Sequence, residues 1–125
     1  MYGSVLVVDD DTDLLDGISE FLNYRGFEVQ TAKNGLEAVS IYEDFNPDLV
    51  LLDISMPKYD GIFTLKAIQT VNSSAKVVLL TGNYNPSIKQ KIRRYDIVDV
   101  IEKPCSLKQL ESVLKLIHQT IEIPM

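Results

Sequence analysis

Short, unbroken apolar runs alternate along this chain with longer stretches in which apolar residues recur every three or four positions. Val5–Val8, Leu49–Leu52 and the apolar part of Lys76–Thr81 are continuous, as expected of strands buried on both faces of a parallel sheet. Phe27–Thr31 and Val98–Glu102 read as two further strands. The first helical stretch carries Leu14, Leu15, Ile18, Phe21 and Leu22 at helical spacing. Asp11 or Thr12 stands at its start and Gly26 just past its end, the residue types that cap helices there. A second helix runs from about Gly35 to Phe45 with Ala38, Ile41, Tyr42 and Phe45 on one face, and Pro47 stops it. Pro57 to Gly61 makes a turn into a third helix bearing Leu65 and Ile68. A short fourth helix opens at Pro86 and ends near Tyr95. Ser106 caps the fifth, whose stripe is Leu107, Leu110, Leu114, Ile117 and Ile121. Strand–helix units in unbroken succession imply right-handed crossovers and a parallel sheet covered on both faces.

The predicted strand ends concentrate the chemistry. Asp9 and Asp10 follow the first strand, Asp53 ends the third, Thr81 the fourth, and Lys103 follows the fifth. In an open parallel α/β sheet those ends share one edge, which is where ligands bind. Three carboxylates gathered there repel one another, and a divalent cation relieves the repulsion. A fixed ammonium beside them suits phosphate chemistry.

Bulk properties narrow the classes. The 125 residues, 46% of them hydrophobic, fit one domain, residues 1–125, with a core that needs no disulfide. IEIPM could at most begin a linker. MYGSVLVV enters a strand directly, without the basic start of a signal peptide, and no apolar run approaches the roughly 20 residues of a membrane span. Cys105 is the one cysteine, which points to a reducing, cytoplasmic setting. A net charge of −6 argues against nucleic-acid binding by the domain as a whole.

The ordered set VVDDD, LLDISMPKYDG, LLTG and IEKP resembles the receiver domain of two-component response regulators, from the first strand to the last helix. The resemblance implies a flavodoxin-like (βα)5 doubly wound sheet in the order 2-1-3-4-5. It implies that Asp53 is the phosphoacceptor, taking a phosphoryl group from a sensor histidine kinase. Asp10, Asp53 and the main-chain carbonyl of Ser55 would ligate Mg²⁺ directly, and Asp9 through a bound water. Thr81 and Lys103 would contact the phosphoryl oxygens, and Lys103–Pro104 would be cis. The domain would control a downstream protein or output domain, with a homodimer through the fourth and fifth helices as one option. It would be a self-modifying signalling domain, not a turnover enzyme. Ser55 and Asn83 occupy positions that tune hydrolysis in the family, and neither is a strong base.

Other residues have plainer readings. Asp11 reads as a helix cap rather than a ligand, Asp60 and Gly61 as shapers of a turn, Cys105 as a small buried hydrophobe, and His118 as a surface residue rather than a phosphate relay. Gly82 leaves room beside Thr81. Three positions depart from the family pattern. Val100 stands where a switching aromatic is usual, Asp96-Ile97 replaces Gly-Ala, and Cys105 replaces Phe. A β-branched side chain cannot swing as a ring does, so the phosphorylation set is complete while the read-out is altered. Lys89, Lys91, Arg93 and Arg94 on the fourth helix read either as a solvated face or as a docking surface for an acidic partner or second copy. A phosphatase of the haloacid dehalogenase type is the enzyme alternative, but it needs an Asp where Ser55 stands, and no cap segment is present. A constitutive interaction module is the third reading.

Overall fold

All five residues of the third and fourth strands are buried, so the sheet has no solvent face at its centre and helices must cover both sides. The computed structural model describes residues 3–56 and 61–121, with the backbone alone at 116 and 118–121. The expected turn residues Pro57 and Asp60, and the side chains of His118 and Ile121, lie outside what is described. Strands β1 (Ser4–Val8), β2 (Glu28–Ala32), β3 (Leu49–Asp53), β4 (Val77–Thr81) and β5 (Asp99–Glu102) form one parallel sheet in the order β2-β1-β3-β4-β5. Between and after them run α1 (Thr12–Tyr24), α2 (Gly35–Phe45), α3 (Gly61–Val71), α4 (Pro86–Ile92) and α5 (Leu107–Ile121). This is the flavodoxin-like arrangement that the sequence suggested.

Strand side chains alternate between two cores, as the two-residue period of a strand requires. Val5, Val7, Leu49, Leu51, Val78, Leu80 and Ile101 face α1 and α5. Leu6, Val8, Val50, Leu52, Val77 and Leu79 face α2, α3 and α4, with Val100 packed on that same side. The chain caps its helices locally. The Asp11 carboxylate accepts from the N–H groups of Asp13 and Leu14 at 3.1 and 3.2 Å. Asn34 accepts from Glu37 N–H at 2.9 Å. Ser106 and Gln109 cap each other reciprocally, Gln109 N–H on Ser106 Oγ at 3.1 Å and Ser106 N–H on Gln109 Oε1 at 2.9 Å. Asn46, in the left-handed region at φ 49°, closes α2 ahead of Pro47.

Several boundaries differ from the sequence reading. Strand β2 is one residue later than expected, β4 and β5 each start one residue later, and α4 stops at Ile92. Leu107 is 60% exposed and does not belong to the buried stripe. It opens α5 beside the carboxyl edge of the sheet, and the stripe begins a turn later with Leu110, Val113, Leu114 and Ile117. Cys105 is half-buried against the α1–α5 core, and burial pushes its thiol up from the ordinary value, away from reactive thiolate.

Candidate functional site at the carboxyl edge of the sheet

Parallel pairing brings the chemistry-bearing ends together. Asp53 lies opposite Leu80 in the β3–β4 register, and Thr81 one residue further lies opposite Glu102. The Lys103 N–H then donates to the Thr81 carbonyl at 2.8 Å, extending β5 past its last ladder pair. On the other side Asp9 continues β1, its N–H donating to the Ala32 carbonyl at 3.0 Å. Carboxylate oxygens of Asp9, Asp10 and Asp53 all fall within 4.8 Å of one another. Asp9 is 0% and Asp53 2% exposed, while Asp10 is open to solvent.

Two buried carboxylates so close together require compensation, and Lys103 supplies it. Its Nζ lies 2.7 Å from Asp9 Oδ2 and 3.4 Å from Asp53 Oδ2. Backbone donors hold the opposite oxygens, Asp11 N–H on Asp9 Oδ1 at 3.0 Å and Ser55 N–H on Asp53 Oδ1 at 2.9 Å. Burial raises the Asp53 carboxyl above its ordinary value. The Ser55 N–H lowers it, Asp9 raises it again, and Lys103 offsets only part of the total. Burial works against the charged form of Lys103, yet its hydrogen bond to Asp9 and the charges of Asp53 and Asp9 prevail, leaving it raised. The two ion pairs of Lys103 therefore stabilise the ammonium clearly without overcoming the burial of Asp53.

An all-oxygen set of three carboxylates, with no His or Cys ligand in the cluster, is the chemistry of a hard divalent cation such as Mg²⁺. Thr81, 1% exposed, has its Oγ1 accepting from Asn83 N–H at 3.1 Å, which leaves the hydroxyl proton free to donate. A Cβ added at Gly82, the residue after Thr81, would meet nothing within 4 Å apart from its chain neighbours. Asp11 is outside the acidic cluster and caps α1. Lys103–Pro104 is cis.

Gly61 does more than shape a turn. A Cβ there would lie 2.1 Å from Ile54 Cα and 2.6 Å from the Asp53 carbonyl, so α3 begins in direct contact with the backbone that carries Asp53. The sequence reading also missed that Lys103 bridges Asp9 and Asp53. Strand-end position shows which residues share an edge but not which of them pair.

The profile of the response regulator receiver domain matches residues 5–115. The chemotaxis protein CheY of Bacillus subtilis is 35% identical over 118 residues, covering 94% of this chain and 96% of that one. The transcriptional regulatory protein CpxR homolog of Haemophilus influenzae is 39% identical over 114 residues, covering 90% of this chain and 49% of the relative. Against several other curated relatives the chain likewise spans about half of the relative's length or less. Among solved structures, the CheX–CheY complex of Borrelia burgdorferi with BeF3 and Mg superposes at a TM-score of 0.80. It shares 27% identity and covers 95% of this chain and 90% of that one.

Proposed function

We propose, from the premise that this chain belongs to the response regulator receiver domain family, that Asp53 accepts a phosphoryl group from a sensor histidine kinase. The supporting observation is the gathering of Asp9, Asp10 and Asp53 oxygens within 4.8 Å, with Lys103 Nζ 3.4 Å from Asp53. An Asp53 carboxylate oxygen forms a bond to phosphorus as the bond from phosphorus to the donor's imidazole nitrogen breaks. The imidazole leaves and an acyl phosphate remains. Such transfer rests on positioning and on neutralised charge rather than on covalent chemistry from the protein. Lys103 and the Thr81 hydroxyl hold the transferred oxygens. Asp10, Asp53 and the Ser55 carbonyl would hold Mg²⁺, with Asp9 acting through a bound water, and the ion would supply the positive charge that lets two anions approach.

The domain is a signalling unit spanning 1–125, self-modifying rather than a turnover enzyme. It acts in the cytoplasm, where a lone Cys105 thiol stays reduced. Output passes through the face of α4 and α5 to a downstream protein, an output domain or a second copy. Val100, Tyr84, Ile88 and Tyr95 all pack against the core on the α2, α3 and α4 side, and Lys89 Nζ lies 5.1 Å over the Tyr84 ring. When Thr81 turns to the phosphoryl group, its bond from Asn83 is lost and the segment carrying Tyr84 repacks with α4, a shift between two packings. The altered read-out thus lies in the β4–α4 segment rather than at position 100.

Acetyl phosphate with Mg²⁺ should add the mass of one phosphoryl group to the protein and none to D53N. Beryllofluoride should shift the amide resonances of Thr81, Asn83 and Tyr84. An unmodified protein under these conditions removes the reading and leaves the constitutive module in its place. Repeated turnover of phosphomonoesters would point to a phosphatase instead.

A further inference from the structure

The basic residues around α4 divide between two flanks. Lys89 sits over the Tyr84 ring. Lys91 and Arg94 instead line a groove of about 470 Å³, together with Ile62 at the start of α3 and Ser87, Gln90 and Tyr95. The volume is within the range of ligand-sized clefts, roughly 300–1,000 Å³.

The lining has a definite chemistry. Ile62 and Tyr95 are half-buried and offer an apolar floor. Lys91 and Arg94 offer two cations, neither ion-paired among the described residues. The Ser87 hydroxyl and Gln90 amide can each donate. Among the described residues no carboxylate lines the groove, although the chain as a whole carries a net charge of −6.

One wall is fixed before any ligand arrives. Ile92, the last residue of α4, is buried, and Tyr95 N–H donates to the Ile92 carbonyl at 3.0 Å. From α3, Gln69 Nε2 donates to the Asp96 carbonyl at 2.7 Å. A wall already ordered lowers the cost of binding.

We propose that this groove docks a short acidic segment of a partner protein through one apolar or aromatic anchor side chain. The anchor packs on Ile62 and Tyr95, and flanking carboxylates pair with Lys91 and Arg94. An extended segment fits a slot of this size between the start of α3 and the short α4 better than a second folded copy does. The site lies on the α3 flank of α4, away from α5. It is formed before any phosphoryl group reaches Asp53.

The test uses the isotope-labelled, unphosphorylated chain and three synthetic peptides. One alternates Asp and Glu around a single Phe, the second has Ser for Phe, and the third has Lys for every acid. The first should give saturable shifts at the amides of Ile62, Gln90, Lys91, Arg94 and Tyr95, weakening as salt rises. The second should bind about tenfold more weakly and the third not at all. In the double variant K91E/R94E binding should be lost, while the beryllofluoride response around Asp53 persists and reports an intact fold. A flat titration with the acidic Phe peptide, shifts confined to other surfaces, or unchanged affinity in K91E/R94E overturns the proposal. So does peptide-free self-association that K91E/R94E abolishes, since the occupant is then a second copy.

Discussion

With its Nζ 2.7 Å from Asp9 and 3.4 Å from Asp53, Lys103 offers one positive charge to a cluster of three carboxylates. The remainder is expressed at Asp53, whose carboxyl is raised chiefly by burial. A raised carboxyl binds its proton more readily in the folded chain than in the unfolded one, so ionising Asp53 costs stability. That stability is fully present below the ordinary value of 3.8 and is lost as pH rises through the folded value. D53N should therefore be more stable than the parent at neutral pH without divalent ions. The advantage should shrink as pH falls and be absent below 3.8, as urea midpoints at several pH values would show. K103M should do the opposite. It leaves two buried acids without their cation, and urea unfolding without divalent ions should show a loss of about 3 kcal/mol, the low end for a broken buried pair because the ammonium is partly exposed. The acids, the Lys and the Thr were all legible from strand-end position. The Lys103 bridge was not, because pairing depends on side-chain reach across strands that are distant in sequence.

Among the elements, local signals located the helices well and their extents less well. Asp11 was legible as a cap because a short acceptor directly before an apolar helical run has one favourable use. D11A should lower stability by about 1 kcal/mol, which corresponds to a fall in Tm of about 3–4 °C by calorimetry. Asn46 was not singled out, since its left-handed conformation is chosen by the whole turn ahead of Pro47 rather than by the residue alone. Leu107 fitted the α5 stripe by spacing, but periodicity describes a helix face and not whether anything lies beneath it. The shortened α4 has the same origin. Tyr95 continues the apolar spacing, yet it joins the wall that Gln69 ties to Asp96 instead of another helical turn.

At the scale of the whole molecule, two cores share one sheet, and the site sits on the edge where both end. Burying Asp9 and Asp53 there costs stability that a cation bound between them would return. Mg²⁺ at ten times its Kd should stabilise the fold by about 1.4 kcal/mol, about 5 °C in Tm for a domain of this size. The gain should be largely lost in D53N. Equal shifts in parent and variant would place the ion elsewhere. The strand order was legible because alternating strand–helix units leave few topologies and one edge for ligands. The groove beside α4 was not. It is made by α3 and α4 meeting, and neither segment alone displays it.

Gly61 leaves α3 no cushion between itself and the end of β3. Side chains absorb small displacements by changing rotamer, but here main chain rests on main chain, at separations too small for even one methyl group. A movement of the peptide after Asp53 must tilt or slide α3, and the next residue of that helix, Ile62, forms part of the groove floor. G61A should wedge this joint open at a cost of about 3 kcal/mol. Phosphorylation at Asp53 and peptide affinity in the groove should then fall together, the signature of a hinge that serves both ends.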